Sequence, residues 1–113
     1  MNVEKRPWGE YEVIYRQERI QVKRIQIKPG LRFSLQKHNR RSEKWIIISG
    51  RGVATLGKRK MLVQKGSFIE ISKGQVHRLH NTGKTPLIFV EVQFGNYLGE
   101  DDIFRLEDDF GRR

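Results

Sequence analysis

Residues 45–71 read Trp45-Ile46-Ile47-Ile48-Ser49-Gly50-Arg51-Gly52-Val53-Ala54-Thr55-Leu56-Gly57-Lys58-Arg59-Lys60-Met61-Leu62-Val63-Gln64-Lys65-Gly66-Ser67-Phe68-Ile69-Glu70-Ile71. Short runs of branched and apolar residues alternate with glycine-bearing turns, which is strand composition punctuated by turn composition. The continuous run Trp45–Ile48 predicts a strand buried on both faces. Gly57-Lys58 predicts a two-residue hairpin turn into Met61-Leu62-Val63. Gln64-Lys65-Gly66 then turns the chain into Ser67–Ile71.

The same rhythm extends outward. Upstream, Tyr11–Tyr15 has strand composition, and Ile20–Ile27 carries apolar residues at 20, 22, 25 and 27. The alternation breaks at Lys23-Arg24, which predicts a bulge there. Lys28-Pro29-Gly30 is a turn. Downstream, Ser72-Lys73-Gly74 turns into a strand around Val76–His80, and Asn81-Thr82-Gly83-Lys84 turns into Leu87–Phe94. Strands recurring at this spacing predict an all-β barrel or sandwich. A double-stranded β-helix fits, although strand rhythm alone does not select it over other barrels. Glu100–Leu106 predicts one short C-terminal helix, its acidic first turn suited to the helix dipole.

At 113 residues the chain has the length of a single domain, residues 1–113, with no linker or low-complexity stretch. No apolar run approaches a membrane span. Met1-Asn2-Val3-Glu4-Lys5-Arg6 has no apolar stretch behind its charges, so no secretory signal is expected. With no cysteine, the chain has no disulfide, thiolate metal ligand or Cys nucleophile, which fits a cytoplasmic protein. The net charge of +10 raises nucleic acid as a partner. The basic residues are instead spread along the strands, with no DNA-binding motif, so neither nucleic acid nor membrane is expected. A phosphorylated small molecule is the other partner such charge attracts.

Two of the three histidines stand in informative surroundings. Gln36 and His38 are two apart, so on a strand they face one side, and Glu43 can return to that side from the next strand. His77 follows Gly66, Ser72 and Gly74 and can come from a facing strand. Together Gln36, His38, Glu43 and His77 offer two imidazoles, a carboxylate and an amide oxygen, a set suited to a divalent first-row metal. The plain alternative is that these are polar strand residues, since Gln-x-His alone is a weak signal. His80 faces away from His77 on a strand and is left out of the site.

The glycine, histidine, glutamate and asparagine spacing of residues 30–50 and 66–81 resembles the two cupin motifs. More closely, the chain resembles the cupin domain of type II mannose-6-phosphate isomerases, which in many members follows a mannose-1-phosphate guanylyltransferase domain. The matching stretches are Arg6-Pro7-Trp8-Gly9, Val22–Ile25 with Lys28-Pro29-Gly30, and Ser34-Leu35-Gln36 with His38, Arg41, Glu43 and Trp45. They continue at Asn81 with Gly83-Lys84, Pro86-Leu87, Glu91-Val92-Gln93, Gly95, and Tyr97–Ile103 with Arg105. Ser72 stands where the second cupin motif usually has proline, and Asn39-Arg40 replaces a histidine-rich stretch. The guanylyltransferase's glycine-rich nucleotide signature is absent from these residues.

The resemblance implies a cupin jelly-roll barrel with metal ligands Gln36, His38, Glu43 and His77. The expected metal is zinc, with manganese, iron, cobalt or nickel as further occupants. It implies interconversion of mannose 6-phosphate and fructose 6-phosphate, feeding GDP-mannose and polysaccharide synthesis. That step moves a proton between C1 and C2 and needs a base. Glu43, Lys23 and Arg105 are the catalytic candidates, with Lys37 and Glu91 as further possible bases. Arg24, Arg41 and Lys37 are the substrate-binding candidates, and a guanidinium such as Arg105 can also grip phosphate through two hydrogen bonds. Arg6-Pro7-Trp8-Gly9 reads as structure at the barrel entry. The runner-up function is a non-catalytic sugar-phosphate or sugar-nucleotide binding module beside a separate guanylyltransferase. An epimerase or dioxygenase cupin is third. A homodimer is expected, because a small barrel leaves strand edges to cover.

Overall fold

The computed structural model describes residues 2–112. Eleven strands follow one another: β1 (Val3–Arg6), β2 (Gly9–Gln17), β3 (Ile20–Ile27), β4 (Leu35–Lys37), β5 (Arg41–Ser49), β6 (Arg51–Leu56), β7 (Arg59–Gln64), β8 (Phe68–Ile71), β9 (His77–Asn81), β10 (Leu87–Gly95) and β11 (Phe104–Glu107). They form two antiparallel sheets, of order β1-β2-β3-β10-β5-β8 and β11-β4-β9-β6-β7. The sheets face each other around one core. Ile25, Ile27, Trp45, Ile47, Leu87 and Phe89 come from the first sheet, and Ala54, Val63 and Leu79 from the second. Phe33 packs edge-on against Trp45 at 5.9 Å between ring centroids, and Trp45 against Phe89 at 5.1 Å. Gly57 opens the β6–β7 hairpin with φ of 59°, a left-handed conformation that glycine adopts without strain.

Three expectations are corrected. The expected helix over Glu100–Leu106 is not formed; Phe104–Glu107 is β11 and pairs with Leu35–Lys37 of β4. A helix of two turns has to meet its own nucleation cost, whereas the open edge of β4 offers ready backbone partners. The break at Lys23-Arg24 is not a bulge in β3. Gln21, Lys23, Ile25 and Ile27 alternate inward without interruption, and the irregularity lies opposite, where Val13 pairs Lys23 but Tyr15 pairs Val22. The sequence looked irregular because polar residues face the barrel interior. Finally, Trp45–Ile48 is buried on one face only. Trp45 and Ile47 point inward, while Ile46 and Ile48 are each 45% exposed on the outer face.

The inward positions change character along each strand. In β3, Gln21 and Lys23 give way to Ile25 and Ile27. In β5, Arg41 and Glu43 give way to Trp45 and Ile47, and in antiparallel β10, Leu87 and Phe89 give way to Glu91 and Gln93. Because β10 pairs Phe89 with Ile47 and Gln93 with Glu43, the apolar positions share one end of the barrel and the polar ones the other.

Candidate metal centre

The polar end is built around His38, Glu43 and His77, all buried, with potential ligand atoms within 4.8 Å of one another. Strand geometry brings them together. Glu43 faces inward from β5, His77 opens β9, and His38 immediately follows β4, where Gln36 is the register partner of His77. His38 Nδ1 lies 2.8 Å from the backbone oxygen of Asp102, and His77 Nδ1 lies 2.9 Å from that of Gln75. A carbonyl only accepts, so both rings carry their proton on Nδ1 and turn Nε2 toward Glu43. His38 Nε2 is 3.2 Å and His77 Nε2 3.8 Å from the Glu43 carboxylate.

Burial pushes the His38 pKa down to about 3, with help from the Arg41 charge, and burial pushes that of His77 down to about 4. Both imidazoles are therefore neutral near pH 7, the state in which a ring nitrogen ligates. His77 Nε2 is buried without a hydrogen-bond partner. That orphaned acceptor beside a carboxylate and a second imidazole is what a divalent ion would satisfy, so the donor set fits a metal. Gln36 reaches the cluster, its Nε2 3.4 Å from His38 Nε2, while its Oε1 accepts from Ser34 Oγ at 2.7 Å. Turning the amide over would present its oxygen to an ion and leave Nε2 to donate to Ser34, giving up only the long contact with His38.

A layer of buried polar groups supports these ligands. Arg41 Nε donates to Glu43 Oε2 at 2.8 Å, and Trp45 Nε1 lies 3.0 Å from both Glu43 Oε1 and Glu91 Oε1. Gln93 donates to Glu91 at 2.6 Å, Gln21 to Gln93 at 3.0 Å, and Arg16 to Gln21 at 2.6 Å, a polar chain from the surface to the cluster. Burial pushes the Glu91 carboxyl up to about 7, reinforced by the charge of Glu43. Asp102 anchors the His38 loop twice. Its carboxylate accepts from the backbone N–H groups of Asn39 at 3.1 Å and Arg40 at 2.9 Å, and its carbonyl holds the His38 ring.

Above the cluster lies a cavity of about 520 Å³, counting the part open to solvent, walled by Trp8, Tyr11, Lys23, Gln36, Arg41, Glu91, Glu100 and Arg105 among others. Lys23 Nζ sits 4.2 Å from the centre of the Tyr11 ring and 2.8 Å from Glu100 Oε2. Burial raises the Glu100 pKa, but the charges of Lys23 and Arg41 outweigh it and hold the carboxyl below its ordinary value.

Of the residues singled out in the sequence, Gln36, His38, Glu43 and His77 converge, and Lys23, Arg41 and Arg105 line the same cavity. Arg24 and Lys37 do not. Arg24 is exposed on the outer face of β3, and Lys37 is absent from the cavity wall. Alternation decides both, since the neighbours Lys23 and Gln36 take the inward positions. His80 faces away from the cluster and meets the Gly30 carbonyl at 3.2 Å. The residues that sequence reasoning passed over are Asp102, Glu100, Gln21 and Gln93. The two glutamines stand at inward-phased strand positions, which was their legible signal. Asp102 acts through a loop, and its signal was its place in the matching stretch Tyr97–Ile103.

The fold places the protein among double-stranded β-helix proteins. It superposes with TM-score 0.79 on a conserved Klebsiella pneumoniae protein with a double-stranded β-helix domain, at 23% identity over 92% of this chain and 89% of that one. It superposes with TM-score 0.80 on the Lactobacillus farciminis oxalate decarboxylase, at 21% identity over 93% of this chain and 33% of that one. At the level of sequence, the chain belongs to the family described as mannose-6-phosphate isomerase C-terminal, whose sequence model matches residues 2–108. It is 50% identical over 107 residues to the xanthan biosynthesis protein XanB of Xanthomonas campestris pv. campestris, and 50% identical to the alginate biosynthesis protein AlgA of Pseudomonas aeruginosa. Each alignment covers 95% of this chain but only 23% and 22% of the relative, so the chain spans under a quarter of those proteins' length.

Proposed function

We propose that the protein is a metal-dependent aldose–ketose isomerase acting on mannose 6-phosphate and fructose 6-phosphate in the cytoplasm. The observation that carries this reading is the His38–Glu43–His77 cluster, its Nε2 atoms fixed inward, under a cavity walled by cations. His38, Glu43 and His77, with Gln36 as a fourth, would hold a divalent ion, which would polarise adjacent carbonyl and hydroxyl oxygens, the stabilisation an enediolate needs. Zinc is the expected ion, with manganese, iron, cobalt or nickel as alternatives the donor set also accepts. The cavity walls supply the rest. Lys23 and Glu91 both line the cavity and can move a proton between neighbouring carbons. Glu43 is committed to the cluster and to Arg41, which leaves it less free to act as base.

The alternative, a binding module working beside a separate guanylyltransferase, draws on the relatives' names, one of which is a Klebsiella pneumoniae mannose-1-phosphate guanylyltransferase 43% identical over 107 residues. A coupled assay of the metal-loaded chain with mannose 6-phosphate separates the two. Turnover that disappears with chelator and in His38→Ala is the expected result. A protein that binds one ion per chain and turns nothing over would overturn the isomerase reading in favour of the binding module.

A further inference from the structure

Among the carboxylates and cations around the cavity, almost every charge has a partner. Lys23 pairs with Glu100 at 2.8 Å, and Arg41 with Glu43 at 2.8 Å. Arg112 grips Asp108 through two hydrogen bonds, of 2.9 and 3.0 Å. Outside the cavity the same pairing holds, with Glu107 accepting from Arg78 at 2.7 Å and Asp109 from Arg32 at 2.7 Å. Arg105 is the exception. It makes no salt bridge with any described residue, and its buried Nε has no hydrogen-bond partner. A buried guanidinium N–H with no acceptor is costly unless an anion arrives.

The fold places that guanidinium in a definite relation to the metal cluster. Arg105 pairs in register with Gln36, and Gln36 with His77, so the three stand in one row across the second sheet. Arg105 is therefore two strands away from His77, on the β11 side of the cavity. Arg6, at the end of β1, lines the same cavity and is oriented by Tyr11, whose hydroxyl accepts from Arg6 Nη2 at 3.2 Å. The carboxylate nearest Arg6 is Glu4, 3.8 Å away and exposed. Burial and the positive charges of Arg112 and Arg6 push the Arg105 pKa down, the direction expected of a cation crowded by cations.

We infer that Arg105 and Arg6 form the anion end of the cavity and take the phosphomonoester of the substrate, two strands away from His77 and the metal end. This rests on the sugar-phosphate reading above and adds to it a division of the cavity. One end binds the carbonyl-bearing carbons and the other the terminal dianion, so the ligand is selected by length as well as charge. Arg6 then has a binding role, where its motif alone reads as structure. Arg105 is a substrate-binding residue, not the proton carrier. A guanidinium presents parallel donors in a fork that fits a phosphate, and charge-assisted bonds of this kind are among the stronger ones.

The test uses the full, metal-loaded chain and inorganic phosphate as the probe. In the wild type, phosphate binding is read by calorimetry, and its inhibition of mannose 6-phosphate turnover by steady-state kinetics. Arg105→Gln should weaken phosphate binding and raise KM about tenfold or more, with kcat and metal content little changed. Arg105→Lys should recover part of the loss, since it restores charge without the fork. Arg6→Gln should give the same pattern more weakly, and serves if Arg105→Gln does not fold. Unchanged phosphate affinity in folded Arg105→Gln and Arg6→Gln would overturn the inference while leaving the isomerase intact. A fall in kcat with unchanged phosphate affinity would also overturn it, returning Arg105 to the chemical step. Phosphate binding that depends on Arg105 in a wild type without turnover would sustain the anion end and sink the isomerase reading.

Discussion

The two ends of the barrel are made from the same strands and do opposite work. At one end Ile27, Ile47, Leu79, Leu87 and Phe89 are buried to 1% exposure or less, and the polar side chain among them, Asn81, has every group satisfied. Asn81 Nδ2 donates to the carbonyls of Ile27 and Thr85, and its Oδ1 accepts from Gly83. At the other end Gln21, Lys23, His38, Arg41, Glu43, His77, Glu91 and Gln93 are buried to 5% exposure or less. There, orphaned atoms remain: Arg41 Nη1, His77 Nε2 and Arg105 Nε. Trp45 spans the boundary, its ring packed on Phe33 and Phe89 and its N–H turned to the two carboxylates. The apolar end supplies folding free energy through burial, and the polar end spends part of it on unmet hydrogen bonds that a ligand can meet.

This contrast predicts where damage falls. The largest effect is expected at the dry end. Phe89→Ala should cost about 3–5 kcal/mol in chemical denaturation of the metal-free protein. The residual folded fraction should still bind one ion per chain. A loss of metal binding with little loss of stability would mean that the two ends are not separable.

The polar end should reveal itself through pH. The histidines have folded pKa values of about 3 and 4, below the unfolded value, so the unfolded state binds their protons first as pH falls. Their contribution is complete above about pH 6.5 and is lost as pH drops toward 4 and then 3. Glu91 acts in the opposite sense. With a folded value of about 7, it favours the folded state below its ordinary carboxylate range and loses that contribution as pH rises through 7. Two groups against one leave a net slope of about 1.4 kcal/mol per pH unit near pH 5, shrinking as the unfolded histidines titrate toward pH 6.5. Metal-free stability should therefore rise from about pH 4.5 and level off near pH 7. Glu91→Gln should remove the opposing contribution and steepen the acid limb, approaching twice the wild-type slope near pH 5. A flat profile in urea melts across this range would contradict the buried neutral histidines.

A smaller effect sharpens the comparison within the polar end. Asp102→Ala removes the acceptor of two backbone N–H groups, at a cost of about 1–3 kcal/mol. It also loosens the carbonyl that orients His38, so metal affinity should fall about 10- to 100-fold. Competition with a chromophoric chelator reads the affinity directly. Reduced stability with unchanged affinity would show that Asp102 only braces the loop.

Much of this was legible in the sequence. Turn chemistry at Gly50, Gly57 and Gly66 located the strands correctly, and the two-residue spacing of Gln36 and His38 placed both at the site. The errors share one cause. Lys23 looked like a break in an apolar pattern because the pattern assumed that inward means apolar. Ile46 and Ile48 looked buried because the outer face of β5 is apolar too. Arg24 and Lys37 were chosen for charge against the alternation that excludes them. The β11 strand depends on the vacant edge of β4, about 70 residues earlier, a tertiary fact that local propensity does not carry.

The separation of Asp102 from His38 also orders events in time. Their contact joins residues 64 apart, and every apolar side chain of the dry end, from Ile25 to Phe89, is synthesised before Asp102. At ribosomal speeds of about 5–20 residues per second, the stretch from residue 90 to 107 takes about one to four seconds to follow. During that interval the histidine and glutamate donors exist without the carbonyl that aims the His38 ring. An ion bound by the cluster would therefore meet a more pliable donor set before the Asp102 carbonyl docks on the His38 ring than after it.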